Sequence, residues 1–210
     1  MTTELERPSE PGRRERKKQE TRRALENAAL RLFAEQGYEQ TTIEDIAEAA
    51  DVAVRTFFRY FSSKQHVLFG DVAHDITNRL RASFEARPAD EPAIEAVRNA
   101  LDALAFDAEE QQRQIGARLD LMARQPALLG SYYAVFAELT DVVAEYAARH
   151  SGHDVNDMFP RLLAVAAIGS AQAALSVWHA GRGAAGQTLD DLCRESYDTL
   201  ISGLNPLSPR

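Results

Sequence analysis

VRTFFRYF, residues 54–61, places four aromatic rings and two arginines on one short segment of a chain whose formal net charge is −8. Set on a helix, Val54, Phe57, Phe58 and Phe61 fall at i, i+3, i+4 and i+7, the spacing of a packed stripe. Arg55, Thr56, Arg59 and Tyr60 form the opposite side. Two guanidinium groups, a hydroxyl with its methyl and a phenol are groups that bond phosphates and base edges, and threonine also touches a thymine methyl. One face packs and the other is built to read a nucleic acid.

Working outward, TTIEDIAEAA (41–50) offers Thr41 or Thr42 as an N-cap, with Glu44 or Asp45 three residues on to close a capping box. Ile43, Ile46, Ala47 and Ala50 supply the buried side of a short helix. DVA (51–53) then turns the chain, and SSK (62–64) ends the aromatic helix and caps the next. Helix, three-residue turn and short helix with a basic outer face is the helix-turn-helix plan, whose second helix enters the major groove. Three helices around an ordinary core with surface arginines would share the pattern, but the basic stretch upstream weighs against that reading. RRERKKQETRR (13–23) holds seven basic residues and two acidic ones. It suggests a local polyanion contact, although a solvated tail has the same composition. Leu25, Ala28, Ala29, Leu32 and Phe33 make one apolar stripe of a first helix beginning near Glu15 and stopped by Gly37.

Downstream the spacing predicts helices over about 64–86, 92–107, 110–123, 126–149, 156–180 and 188–203, with Pro88 and Pro92 as breakers and Thr188 with Asp191 as another capping box. No stretch alternates apolar and polar residues over strand length. The expectation is an all-α chain of about nine helices. It divides into a disordered arm (1–14), a three-helix helix-turn-helix domain (15–63), a helical ligand-binding and dimerisation domain (64–204) and a tail (205–210).

Residues 1–65 hold 12 basic and 12 acidic side chains and residues 66–210 hold 12 and 20, so the acidity lies wholly in the second part. No apolar run approaches the roughly 20 residues that span a bilayer and charges begin at once, so neither a membrane helix nor a leader is expected, and the cytoplasm is the default compartment. The single Cys193 fits a reducing compartment and reads as a packing residue. His150 and His153 lack a third ligand nearby in sequence, so no metal site is expected. No nucleophile, base and orienting group stand in plausible relation and no Gly-rich phosphate loop is present, so neither an enzyme nor a cofactor is expected.

LFAEQGYEQTTIEDIAEAADVAVRTFFRYFSSKQHVL, within residues 22–68, resembles the DNA-binding region of the TetR family of bacterial transcriptional regulators. The resemblance rests on LFAEQGY, the TT cap, IA, V, TFFRYF and SK at their spacings. It implies a dimeric repressor that leaves a palindromic double-stranded DNA operator when a small apolar or acyl-type ligand binds. Carried over by position, Thr42 would cap its helix and donate to a phosphate, Arg55 and Thr56 would reach base edges, and Arg59, Tyr60 and Lys64 would hold the backbone. Phe58, often tyrosine in the family, would lie between core and sugar-phosphate contact.

Two departures stand out. Asp51, Val52 and Ala53 replace the family's frequent Gly-Val-Ser. Asp tolerates the left-handed conformation such a turn needs, while losing Ser removes a cap of about 1 kcal/mol. The resemblance further implies a four-helix bundle between two subunits from the last two helices, where LLAVAAIGSAQAAL (162–175) is rich in small residues; these could also pack within one subunit. A C2 dimer would set two recognition helices about 34 Å apart. Phe106, Met122, Tyr132, Phe136 and Trp178 are the expected ligand-binding residues among several large apolar side chains, for each of which core packing is the plainer role. TFFRYFSSK and the late Trp178 also resemble actinobacterial-type members with an acyl-CoA-like ligand domain, for which Arg118 and Arg124 would form a cationic mouth. The alternative is a helical ligand- or partner-binding protein with weakened DNA binding, against which Arg55, Arg59, Tyr60 and Lys64 argue.

Overall fold

The computed structural model describes residues 13–106, 108–181 and 187–204. Among them every regular element is helical: α1 (Arg13–Gln36), α2 (Ile43–Ala49), α3 (Val54–Tyr60), α4 (Lys64–Glu85), α5 (Ala93–Asp102), α6 (Glu109–Arg124), a 3-10 turn (Pro126–Leu128), α7 (Leu129–Ser151), α8 (Met158–Gly181) and α9 (Leu189–Leu204). Disorder expected over residues 1–12 and the tail 205–210 lie outside the described residues. Arg13 and Arg14, expected in the arm, already belong to α1. The chain divides into two compact units, Met1–Leu68 and Phe69–Arg210, the division falling inside α4.

In the first unit Leu25, Ala28, Ala29, Leu30 and Phe33 of α1 are buried with Ile46 and Ala47 of α2 and Phe57, Phe61 and Leu68. Gly37 ends α1 with φ +92, where a side chain would be strained. Thr41, wholly buried, donates to the Gly37 carbonyl at 2.8 Å, which leaves Thr42 to cap α2. Thr42 Oγ1 accepts from the Asp45 amide at 3.0 Å and Asp45 Oδ2 accepts from the Thr42 amide at 2.8 Å. These bonds hold the Asp45 carboxyl below its usual range.

The second unit is organised by α8, which packs against both α7 and α9. Leu80, Phe84, Val97, Val143, Leu163, Ala164, Ala167 and Ile168 form its centre, and the Phe84 and Tyr146 rings stack at 3.9 Å. Tyr197 of α9 reaches the Ile94 carbonyl at 3.3 Å, and Arg98 of α5 grips Asp198 through two bonds of 2.6 and 3.2 Å. Arg87 and Glu91 pair at 2.6 and 2.8 Å between α4 and α5, and Asn99 donates to the same carboxylate at 2.7 Å.

Two expectations are corrected. The helix expected over 92–107 ends at Asp102. Beyond it Ala105 has φ +30, and tertiary bonds replace helical ones: the Phe106 amide donates to Asp190 Oδ1 at 2.7 Å and Gln112 donates to the Phe106 carbonyl at 2.8 Å. Two segments, Pro126–Ser151 and Met158–Gly181, are long and apolar enough to cross a membrane by length and composition, with mean hydropathy 1.2 and 1.4. α7 and α8 each bury one side in the bundle centre, while Met158, Leu162, Val165 and Val177 of α8 stay exposed.

Candidate nucleic-acid interface and cavity

α2, the 51–53 turn and α3 set the outer face of the first unit. Asp51 adopts φ +54, the left-handed conformation expected where glycine is missing. The turn is tied by the Val52 amide to the Ala47 carbonyl at 2.9 Å. Ala53 starts α3 in extended backbone with no side-chain cap. Only Phe57 of α3 is fully buried; Phe61 follows the helix in extended backbone and enters the core beside it, with ring centroids 5.7 Å apart.

That geometry corrects the four-residue stripe. Because α3 stops at Tyr60, the buried arc centres on Phe57, and Phe58 stands 55% exposed with its ring edge-on to Phe57 at 5.6 Å. Arg55 and Arg59 are exposed and Thr56 and Tyr60 half-buried, so the polar face expected from spacing is outward. The Arg59 guanidinium lies 5.0 Å over the Tyr60 ring and donates to its hydroxyl at 3.4 Å. Lys64 directs two bonds of 2.8 Å to the Tyr38 and Thr41 carbonyls and sits 4.6 Å from the Tyr38 ring centre. It therefore clamps the α1–α2 corner, and one of its three N–H groups remains beyond these two bonds.

The second unit holds a cavity of about 150 Å³. Phe106, Met122, Tyr132 and Phe136 line it, whereas Trp178 does not. Trp178 lies further along α8, past Leu175, the last residue of that helix on the wall. Tyr132 and Phe136 meet at 4.6 Å, while Tyr133 points out, 60% exposed. Arg118 is buried on the wall, 3.5 Å from Gln114 Oε1, and Arg124 is exposed away from it. Cys193 also lines the cavity, and burial pushes its thiol up to about 11, so the sulfur is a neutral packing group. Leu104 joins the wall from the loop after α5, and Leu189 and Tyr197 join it from α9. They converge only in the folded bundle, and no local sequence signal marks them.

A third surface runs along α8. Met158, Leu162, Val165 and Val177 are 78, 43, 60 and 58% exposed, while Ala164, Ala167 and Ala174 face the subunit's own core. The small residues of 162–175 are thus divided between the two sides.

Residues 26–69 match the family model described as bacterial regulatory proteins, tetR family, and residues 91–205 match the one described as MftR C-terminal domain. The chain is 37% identical over 163 residues to the HTH-type transcriptional regulator TcmR of Streptomyces glaucescens, covering 74% of this chain and 72% of that protein. It is 27% identical over 195 residues to the putative mycofactocin biosynthesis transcriptional regulator MftR of Mycobacterium tuberculosis, covering 92% and 96%. The fold is similar to that of the transcriptional regulator FadR of Bacillus subtilis, solved in complex with stearoyl-CoA, with a TM-score of 0.63 at 20% identity, covering 86% of this chain and 98% of that one.

Proposed function

The chain belongs to the TetR family of bacterial regulatory proteins, and from that premise we propose that it is a dimeric transcriptional repressor that binds a palindromic operator in the cytoplasm and leaves it when a compact apolar ligand enters the second unit. The observation that carries this reading is the outer face of α3. Its apolar side is fixed by Phe57, while exposed Arg55 and Arg59 and half-buried Thr56 and Tyr60 lie on the outer side, which supports a DNA-reading role. Relatives such as TcmR and MftR are named as transcriptional regulators, which supports regulation over catalysis.

In this reading Arg55 and Thr56 meet base edges at the start of α3, and Arg59 and Tyr60 hold the backbone. Thr42 Oγ1 accepts its capping bond and so keeps its O–H to donate to a phosphate at the N-terminus of α2. Exposed Phe58 packs on the sugar-phosphate, and Lys64 stiffens the corner and offers its remaining N–H to the backbone.

Phe106, Met122, Tyr132 and Phe136 are the ligand's apolar surroundings. A cavity of about 150 Å³ accepts a benzene-sized body and lies below the roughly 300 Å³ at which ligand pockets usually begin. A compact apolar effector therefore fits this cavity, whereas an acyl-type ligand requires it to widen.

Selecting bound DNA from a random pool with the purified protein tests the reading. A palindrome is the expected result; failure to enrich any sequence, where a known regulator succeeds in the same assay, counts against it. Replacing Arg55 with alanine should lower affinity for the selected site by roughly 10- to 100-fold, an effect of about 1–3 kcal/mol, and flatten preference at the base pair it reads. Titrating single-base variants of the site checks this, and preserved preference would remove Arg55 from base reading.

A further inference from the structure

Arg14, Lys17, Lys18 and Thr21 fall at i, i+3, i+4 and i+7 in the first turns of α1 and so share one helix face. With Arg59 and Tyr60 at the end of α3 they line a groove of about 570 Å³ in the first unit. Four cations and two hydroxyls surround this groove, and no carboxylate is among its described lining residues. Thr21 donates to the Lys17 carbonyl at 2.9 Å, and the Arg59 guanidinium over Tyr60 closes the opposite wall.

Like charges three and four residues apart destabilise a helix, and opposite ones support it. Later turns of α1 follow the favourable rule: Arg22 faces Glu26 and Arg31 faces Glu35, each at 3.6 Å. The groove face instead brings Arg14, Lys17 and Lys18 together, concentrating positive charge on one side of α1. The groove also shares Arg59 with the outer face of α3, so an anion held there is continuous with whatever α3 reads.

We propose that this groove grips backbone phosphates of the same duplex whose bases α3 reads, making α1 a second arm of the interface that is blind to sequence. The proposal rests on the DNA-binding reading and adds to it a surface that supplies affinity and salt dependence without specificity. Each cation that neutralises a phosphate steepens the dependence of log K on log salt by about 0.9.

The test compares the full-length protein with Lys17→Ala/Lys18→Ala and, as a control for charge alone, Arg31→Ala, whose side chain is 54% exposed on α1 outside the groove. Alanine suits a helix, so circular dichroism should stay unchanged. Binding to the selected duplex is titrated at several salt concentrations, with single-base variants alongside. The double variant should lose about 1.8 from the slope, so that its affinity drop between about 50 and 200 mM salt is roughly twelvefold smaller than that of the parent. Its ranking of base variants and the slope of Arg31→Ala should match the parent. A parent slope retained by Lys17→Ala/Lys18→Ala overturns the proposal and leaves the regulator reading intact. So does loss of binding to phosphatidylserine vesicles in that variant with its DNA slope unchanged, which would assign the groove to a membrane. A parent protein that binds no duplex overturns both.

Discussion

Phe57→Ala unfolds the DNA-reading unit while the second unit stays folded. Phe57 is 0% exposed and packs on Phe61 with centroids 5.7 Å apart, so truncation removes the ring joining α3 to the core of α1 and α2. Buried Phe→Ala changes cost about 3–5 kcal/mol. At roughly 0.05–0.15 kcal/mol per residue a unit of 68 residues holds about 3–10 kcal/mol, so the loss removes a large part of its stability. The single tryptophan, Trp178, lies in α8, and its emission follows the second unit alone. The expected result is a low-temperature loss of helix by circular dichroism, a tryptophan transition close to the parent's and DNA binding weakened at least 100-fold. Parent-like melting by both probes would show that Phe57 does not hold the unit together.

The second large effect is expected at α8. Val165 is 60% exposed in the line of Met158 and Leu162, an apolar stripe at helical spacing. If two copies meet along it, in the bundle of the last two helices that the family resemblance implies, Val165→Glu buries a carboxylate from each subunit without a cation among those stripe residues. Each such burial costs several kcal/mol, so the dimer constant should rise at least 10³-fold. Sedimentation should give a monomer with parent-like helix content, and operator affinity should collapse because one subunit reaches only one half-site. A variant that still sediments as a dimer would place the subunit contact elsewhere.

Local rules made much of this fold readable. Thr42 and Asp45 form the capping box that their spacing announces, Gly37 and Asp51 take the positive φ their places require, and Thr188 with Asp191 caps α9. Each of these depends on neighbours within a few residues. What depended on distant partners was less legible. Phe58 has helical spacing to Val54 and Phe61, yet α3 ends before Phe61 and leaves it outside. α5 ends early because Asp190, 84 residues beyond Phe106, takes the Phe106 amide. Trp178 and Phe136 are both large and apolar, and only the register of α8 against its neighbours keeps the first off the cavity wall and puts the second on it. Lys64 showed its charge in the sequence but not its two carbonyl partners, 26 and 23 residues earlier.

The corner between α2 and α3 also bears on how operator preference can change over generations. Ala53 leaves α3 without a side-chain cap and Asp51 carries φ +54, so the corner stands below the stability its backbone could support. A serine hydroxyl at the first of these positions adds about 1 kcal/mol. Most substitutions that re-aim a DNA-reading residue cost stability of similar size. A library at Arg55 and Thr56 built on Ala53→Ser should therefore yield more folded, DNA-binding members than one built on the parent, and equal yields would deny the corner this role. The uncapped turn is thus a mutational reserve: a lineage that fills it can explore new operators without dropping below the threshold at which the reading unit unfolds.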